Sequence, residues 1–466
     1  MKRNYLWLLG LAPLIFACNN SKTSTPINKL KEMTAFNETM DEEACTVMYV
    51  GKALSKNGKA FIARSSDAGP GAMCINTTIF QHNELANQTV TSNKGFSYKM
   101  PSTTYRYIST PRNPVMNKGH HWEASAVNEN GVGVSATLSC YYNEDVKKVD
   151  PLVEGGLSED NITQIVGATA KTAKEGIQII ADIIDEQGSQ DSNAVMFIDQ
   201  NEAWYMEIYS GHQYAAVKCP DNMILTAGNE FVFDSLESMG IKLEDTILSG
   251  ELLTKLPKEK RKPANCENIM ELNLFETYAE PLVEYHIDDT LPLSDEEKEN
   301  DRISADNSHR RTWCGYHLFA STQYPNYEGI KYPAFYEPDN KAKLDIHDVT
   351  KFMRNRFEGI LDDETNPNYI HFDYDEGNKK LRYVGCESAY QVHAIQSDPN
   401  LPKEIAATMW LSLCNPNYTP FVPINAGVNS IAKSYTHVSP DYSFDEESAA
   451  HIFKKLCALA FTRGKE

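Results

Sequence analysis

Residues 41–69 read DEEACTVMYVGKALSKNGKAFIARSSDAG. Two runs within it, CTVMYVGKALS and KAFIARSS, are rich in small, β-branched and aromatic residues. Asn57–Gly58 between them is the strongest short-range hairpin signal a sequence offers. A two-residue turn there sets Lys56 opposite Lys59, so that Cys45 faces about residue 70. Asp67 then lies about three residues along the partner strand from Cys45, near 10 Å. The hairpin thus gathers Cys45, Arg64 and Asp67 into one neighbourhood. Two readings fit this group: a small core cysteine beside a surface Arg–Asp pair, or a reactive thiol with charged partners.

Upstream, the chain opens MKRNYLWLLGLAPLIFACNNSKTSTP, with two basic residues, an apolar run from Tyr5 to Ala17, and Cys18. The run is shorter than the roughly 20 apolar residues a membrane helix needs and has the layout of a secretory signal peptide over residues 1–17. Ile15-Phe16-Ala17-Cys18 resembles a bacterial lipoprotein box, which would make Cys18 the lipidated residue; plain signal-peptidase cleavage is the alternative. Residues 18–44 are rich in Asn, Ser, Thr, Lys and Glu without apolar periodicity and read as a flexible tether or propeptide. The expectation is a bacterial protein exported to the periplasm, outer membrane or cell surface. It would touch a membrane only through a lipid anchor before maturation, with its folded part over 45–466.

The chain of 466 residues, 41% hydrophobic and 23% charged, has globular composition, and its length calls for one elaborated domain or two closely joined ones. Lys and Arg total 44 against 64 Asp and Glu, a net charge of −20 with no basic cluster, which removes nucleic acid from the candidate partners. The ten cysteines include no C-x-x-C and the 12 histidines no H-E-x-x-H, so neither a metal nor a cofactor has support. Cys74, Cys140, Cys219, Cys266, Cys314, Cys386, Cys414 and Cys457 read mostly as small core residues. A homo-oligomer is compatible with the sequence and is left open.

Downstream, ASAVNENGVGVSATLSCYY reads as a second hairpin around Asn130–Gly131. Residues 159–187 carry Ile162, Ile165, Val166, Ile177, Ile180 and Ile184 at helical spacing, predicting two consecutive helices with Gly167 and Gly176 as weak points. NAVMFIDQNEAWYMEIYSG splits at a turn near Gln200–Asn201, and HQYAAVKC and NMILTAGNEFVF follow as β runs. The acidic segment HIDDTLPLSDEEKENDRIS, residues 286–304, reads as a solvated loop. DIHDVTKFMRNRFEG predicts a helix with Val349, Phe352, Met353 and Phe357 on one face and a stop at Gly359. Strands at RYVGCESAYQVHAIQ and EIAATMWLSLC and a helix at DEESAAHIFKKLCALAF complete an α+β pattern of helices packed on antiparallel sheets.

A thiol attacks amides as thiolate and needs a base. The C-G-S-C-W surroundings of papain-like cysteines are absent. If the chain is cut before Cys45, the new α-amine, with a reference pKa of about 7.7–8.0, can serve as that base. A guanidinium at Arg64 would favour thiolate, and a carboxylate at Asp67 could hold the ammonium.

The run from Cys45 to Gly69 resembles the mature N-terminus of the PepD-like dipeptidases. These are N-terminal-nucleophile (Ntn) hydrolases related to penicillin V acylases and choloylglycine hydrolases. The matching features are Cys45-Thr46, Gly58 and Ala63-Arg64-Ser65-Ser66-Asp67. VNENGVGVSAT (127–137), AWYMEIYSGHQYAAVKCPDN (203–222), DVTKFMRNRFEG (348–359) and PKEIAATMWLSLCNPNYTPFVPINAG (402–427) resemble the same family in the same order. The resemblance implies a four-layer αββα sandwich of two stacked, mostly antiparallel sheets, and hydrolysis of dipeptides through a thioester at Cys45, exposed by cleavage after Ala44. It assigns Arg64 and Asp67 as partners and Asn229, in TAGNEF, as an oxyanion donor, with a plain loop asparagine as the alternative. Arg311, in HRRTW, is a candidate for a substrate carboxylate, in competition with Arg310 and with a surface role. Asn128 reads as a turn residue and Glu207 as structural. Two rivals stand beside this reading: an Ntn acyl-amide hydrolase of penicillin or bile-salt type, and a non-catalytic exported binding lipoprotein.

Overall fold

The structure, a computed structural model, describes residues 44–67, 75–112, 121–280, 295–327, 329–357, 383–386, 388–437 and 444–463. The signal-peptide, Cys18 and tether expectations, Cys74 and Gly359 all lie outside them. Sixteen strands in these residues are β1 (Ala44–Val50), β2 (Phe61–Asp67), β3 (Thr78–Phe80), β4 (Thr89–Thr91), β5 (Ser97–Lys99), β6 (Tyr107–Pro111), β7 (Glu123–Asn128), β8 (Gly133–Ser139), β9 (Asn193–Ile198), β10 (Ala203–Ile208), β11 (Tyr214–Lys218), β12 (Ile224–Ala227), β13 (Thr246–Leu248), β14 (Ala389–Ser397), β15 (Ala407–Leu413) and β16 (Val422–Asn425). They form a six-stranded sheet in the order β12-β1-β2-β14-β15-β16, an eight-stranded sheet in the order β13-β11-β10-β9-β8-β7-β6-β3, and the small pair β4-β5.

Alternation along the strands stacks the two large sheets. In β1, Cys45, Val47 and Tyr49 enter a core shared with Leu138 of β8 and Met196 and Ile198 of β9. Met48 and Val50 point the other way, into a core with Trp313, Val349 and Phe352. In β9, Val195 and Phe197 leave the shared core to meet Ile162, Ile165, Val166, Ile177, Ile180 and Ile184. Strands buried on both faces read as continuous apolar runs rather than alternating ones, which is why these segments look uniformly hydrophobic. The outer layers are α1 (Glu159–Thr169) and α2 (Ala173–Gln187) on the larger sheet, and α3 (Asp295–Phe319) and α4 (Ile346–Met353) on the smaller. The result is the expected αββα sandwich. A further helix, α5 (Ala449–Arg463), follows β16.

Several local expectations are corrected. The break between α1 and α2 falls at Ala170–Thr172, where the Thr172 side chain accepts from Glu175 N as N-cap. Gly167 and Gly176 sit inside the helices as close-packing points; a Cβ at Gly167 would meet the Tyr107 ring at 2.9 Å. Residues 295–304, expected as loop, open the 25-residue helix α3. Acidity suggested solvation there, yet Ser294-Asp-Glu-Glu297 is a capping-box pattern with no Gly or Pro for the next turns. Helix α4 starts on an Asp345/Asp348 capping box and ends at Met353, short of Phe357, which takes a left-handed φ of 60°.

The opening hairpin keeps its strands and changes its register. Gly58, at φ 71°, does turn the chain, with its N–H donating to Ser55 O at 3.3 Å. The β1–β2 ladder nevertheless stops at Val50↔Phe61. The linking segment bonds elsewhere: Gly51 N to Met223 O, Ala53 N to Asp221 O and Lys56 N to Leu344 O. Gly51 presses so close to the Asp221 carbonyl that a Cβ would lie 2.2 Å from its oxygen. Cys45 therefore faces Ser66 rather than residue 70, and Asp67 pairs with Ala44, one residue along instead of three.

Candidate active site

Antiparallel pairing brings one end of every central strand to the same end of the sandwich. Cys45 is the second residue of β1, Asp67 ends β2, Tyr390 lies at the start of β14, Ser139 ends β8, and Asn229 follows β12. The β1–β2 register places Cys45 opposite Ser66 and Arg64 opposite Val47, so Arg64 and Cys45 share a face on a diagonal. The buried Arg64 side chain reaches back, with Nη2 3.2 Å from Cys45 Sγ, while Nη1 donates to Ala136 O of the facing sheet at 2.7 Å. One guanidinium thus ties the thiol to both sheets. Asp67 meets the sulfur through its backbone N–H, and its carboxylate accepts from Ser65 Oγ. Burial pushes the Cys45 thiol above its ordinary value. The Arg64 guanidinium opposes that rise and the Asp67 carboxylate adds to it. Such a thiol needs a base at the moment of attack rather than standing as preformed thiolate.

The β1–β12 ladder ends at Val47↔Ala227, and continuing it sets Asn229 opposite Cys45. There the side chain takes over from the backbone: Cys45 N donates to Asn229 Oδ1 at 2.8 Å. Arg311 Nη2 donates to the same oxygen at 2.9 Å. Two donors converging on one atom require it to be the carbonyl oxygen. The structure turns the Asn229 acceptor towards Cys45, and its Nδ2 gives a hydrogen to Ser139 O at 2.9 Å. An amide nitrogen carries two hydrogens, so a second remains for an oxyanion.

Arg311 lies within the protein rather than at its surface. Only 1% exposed, it donates through Nε to Asn307 O, through Nη1 to Cys45 O and Thr46 Oγ1, and through Nη2 to Asn229 and Ser308 Oγ. It braces the start of β1 against Asn229, its bonds all going to protein groups. Arg310, its competitor, lies over the Tyr327 ring at 3.9 Å.

The turn holding Asn229 is gripped from two sides. From α3, Thr312 Oγ1 accepts from Gly228 N at 2.9 Å and donates to Glu230, which also pairs with His309 Nδ1 at 3.1 Å. The Glu230 side chain is largely buried; although burial opposes ionisation, His309 holds its carboxyl below the usual range. Gly228 lies so near α3 that a Cβ would fall 2.2 Å from Ser308 O. From β10, Glu207 accepts from Val232 N at 2.6 Å, Phe233 N and Tyr209 Oη, with burial pushing it up to about 8. Glu207 is structural, as expected. Asn128 is a turn residue, its Oδ1 accepting from Asn130 N and Val132 N.

Sequence reasoning missed His393, which stands opposite Arg64 in the β2–β14 register. Its Nε2 bonds Ser135 Oγ at 2.8 Å and its Nδ1 faces Gln391 Nε2 at 3.1 Å. Burial, reinforced by Arg64, holds it well below its ordinary value, so it is neutral. His309 and Thr312 were also missed. A helical reading of 305–319 would have set Ser308, Arg311, Thr312 and Gly315 on one face. Among the described residues, no group of three His, Cys, Asp or Glu side chains is placed to hold a metal ion, and no helix is long and apolar enough to cross a membrane.

A strand-initial cysteine, bound to an arginine at one end of an αββα sandwich, places the molecule in the Ntn-hydrolase fold class. The chain belongs to peptidase family C69, whose model matches residues 44–463. It is 28% identical over 437 residues to a probable dipeptidase B of Streptococcus pyogenes serotype M1, covering 91% of this chain and 80% of that protein. It is 26% identical over 411 residues to a probable dipeptidase B of Lactococcus lactis subsp. lactis, covering 87% and 79%. Among solved structures it is similar to a mutant conjugated bile acid hydrolase from Clostridium perfringens, with TM-score 0.34, 11% identity, and coverage of 83% of this chain and 97% of that one.

Proposed function

We propose that the protein is an exported cysteine dipeptidase that matures by cleavage between Ala44 and Cys45. The observation that carries this reading is the pairing of Cys45 N with Asn229 Oδ1 while Cys45 Sγ lies against Arg64. A side-chain acceptor at that nitrogen suits an amine as well as an amide, and the raised thiol asks for a base within reach. The relatives named as probable dipeptidases support the substrate class.

In this reading Cys45 Sγ attacks the scissile carbonyl of a dipeptide and its proton passes to the Cys45 α-amine. The carbonyl electron pair becomes an oxyanion, met by the second Asn229 Nδ2 hydrogen and a backbone N–H; one such donor is typically worth about 2.7–4 kcal/mol. The oxyanion collapses, the C–N bond breaks, and the leaving amine takes the proton from the ammonium. Water, deprotonated by the same amine, hydrolyses the thioester and restores the thiol. Export rests on the signal-peptide layout of residues 1–17, and the Ile15–Cys18 box suggests a lipid at Cys18 before maturation frees the enzyme from its anchor.

The test is purified wild type against Cys45→Ala and Cys45→Ser, assayed on dipeptides, with intact mass and N-terminal sequencing of each. A wild-type chain beginning at Cys45, with both variants inactive, is the expected result. Variant hydrolysis at the wild-type rate, or full activity in a chain retaining residues 18–44, would overturn the reading.

A further inference from the structure

Asn229 stands at the apex of a three-residue turn. Glu230 N donates to Gly228 O at 2.8 Å, so the two residues that flank it are bonded to each other. From that apex its side chain reaches Cys45 N at 2.8 Å and Ser139 O at 2.9 Å. So short a turn has few bonds of its own, and the direction of the Asn229 amide is set by what holds Gly228 and Glu230.

Helix α3 holds both. Thr312 Oγ1 accepts from Gly228 N and donates to Glu230 Oε1, while His309, one turn earlier on the helix, gives Nδ1–H to Glu230 Oε2 at 3.1 Å. Across the imidazole, Nε2 lies 2.5 Å from Ile330 O. A backbone carbonyl only accepts, and Glu230, its carboxyl held below the usual range, is ionised. Both ring nitrogens of His309 therefore carry a hydrogen. The result is an imidazolium, 1% exposed, paired with a carboxylate. The rings of Tyr332 and Tyr327 lie 5.2 and 5.6 Å from it, surroundings that suit a cation held out of water. Lys331 and Asp234, the other charges on that side, pair with each other at 3.2 Å. A buried ion pair often gains little stability over apolar packing of the same volume. Here it has a geometric consequence, because one member is the residue next to Asn229.

We infer that His309 is a positioning residue of the reaction: clamped between Glu230 and the Ile330 carbonyl, it holds the Gly228–Glu230 turn so that one end of the Asn229 amide meets the Cys45 amine and the other meets the oxyanion. This deepens the proposed dipeptidase function and rests on it. The pair acts through Asn229 and requires no contact with substrate.

The experiment is a double-mutant cycle on dipeptide hydrolysis: wild type, His309→Gln, Asn229→Ala and the combination, each produced with Cys45 as its first residue and assayed where its circular dichroism is native. Glu230→Gln is a second way to break the pair. In His309→Gln and Glu230→Gln, kcat should fall by about 10–100-fold with KM little changed. In the Asn229→Ala background no amide is left to aim, and adding His309→Gln should cost less than about twofold. Should Asn229→Ala prove too slow to assay, the split between kcat and KM in the two single variants decides. Equal losses in both backgrounds overturn the proposal, as do wild-type kcat in both single variants, a loss confined to KM, or failure of both to fold. Absence of any dipeptide hydrolysis by wild type overturns the proposed function and this inference together.

Discussion

Replacing Arg64 by glutamine removes the cation from the Cys45 sulfur while leaving a shorter, neutral polar side chain. At the observed 3.2 Å, an effective dielectric of about 20 gives 332/(20 × 3.2), about 5 kcal/mol of attraction between guanidinium and thiolate, or nearly 4 pK units. The Asp67 N–H stays beside the sulfur and the surroundings relax, so a rise of about 1–3 units is expected, the usual effect of an opposite charge at close range. The direction adds to the upward push that burial already exerts. The assay is the pH dependence of iodoacetamide alkylation at Cys45, followed by peptide mass so that other cysteines do not contribute. Its midpoint should move up by the stated amount in Arg64→Gln, and dipeptide kcat/KM near neutral pH should drop by about tenfold for each unit. A midpoint that stays in place or falls, in a variant with native circular dichroism, would show that Arg64 does not govern the thiol.

Arg311→Lys loses the fork that joins Cys45 O to Asn229; a bracing role for it predicts a kcat fall of roughly 100-fold with KM little changed. His309→Ala leaves the largely buried Glu230 carboxylate with Thr312 but without its imidazole partner, and urea unfolding should register a loss of about 3 kcal/mol, the low end for a broken buried pair. Glu207 keeps a proton in the native state that the unfolded chain loses near 4.5. Stability should therefore decline as pH rises from there to about 8, by about 1.4 kcal/mol per unit, and Glu207→Gln should flatten that segment of a stepped-pH unfolding series.

The group Cys45, Arg64 and Asp67 was legible because all three sit on one hairpin, where strand alternation and a turn signal carry the inference. The register was not, because it depends on Asp221, Met223 and Leu344, which capture the linking segment from elsewhere in the chain. Charge misled in the first turns of α3, where an acidic run is equally a helix start. The same helix supplies Arg311, His309 and Thr312, so misreading its start also hid the grip on Asn229. Tyr390 shows the harder limit: it lies at a bulge where β14 meets β2, and only the assembled sheet makes it a neighbour of Cys45.

Ala44 already stands in the ladder opposite Asp67, and Cys45 N already reaches Asn229, with the peptide bond before it unbroken. The first contact needs β1 paired with β2, and the second needs the Asn229 turn, which α3 holds, brought against β1. Under the proposed function, cleavage at that bond then works as quality control built into a zymogen. A chain that fails to assemble its two sheets would accumulate uncut and inert, so a folding defect would surface as precursor rather than as an enzyme with altered kinetics.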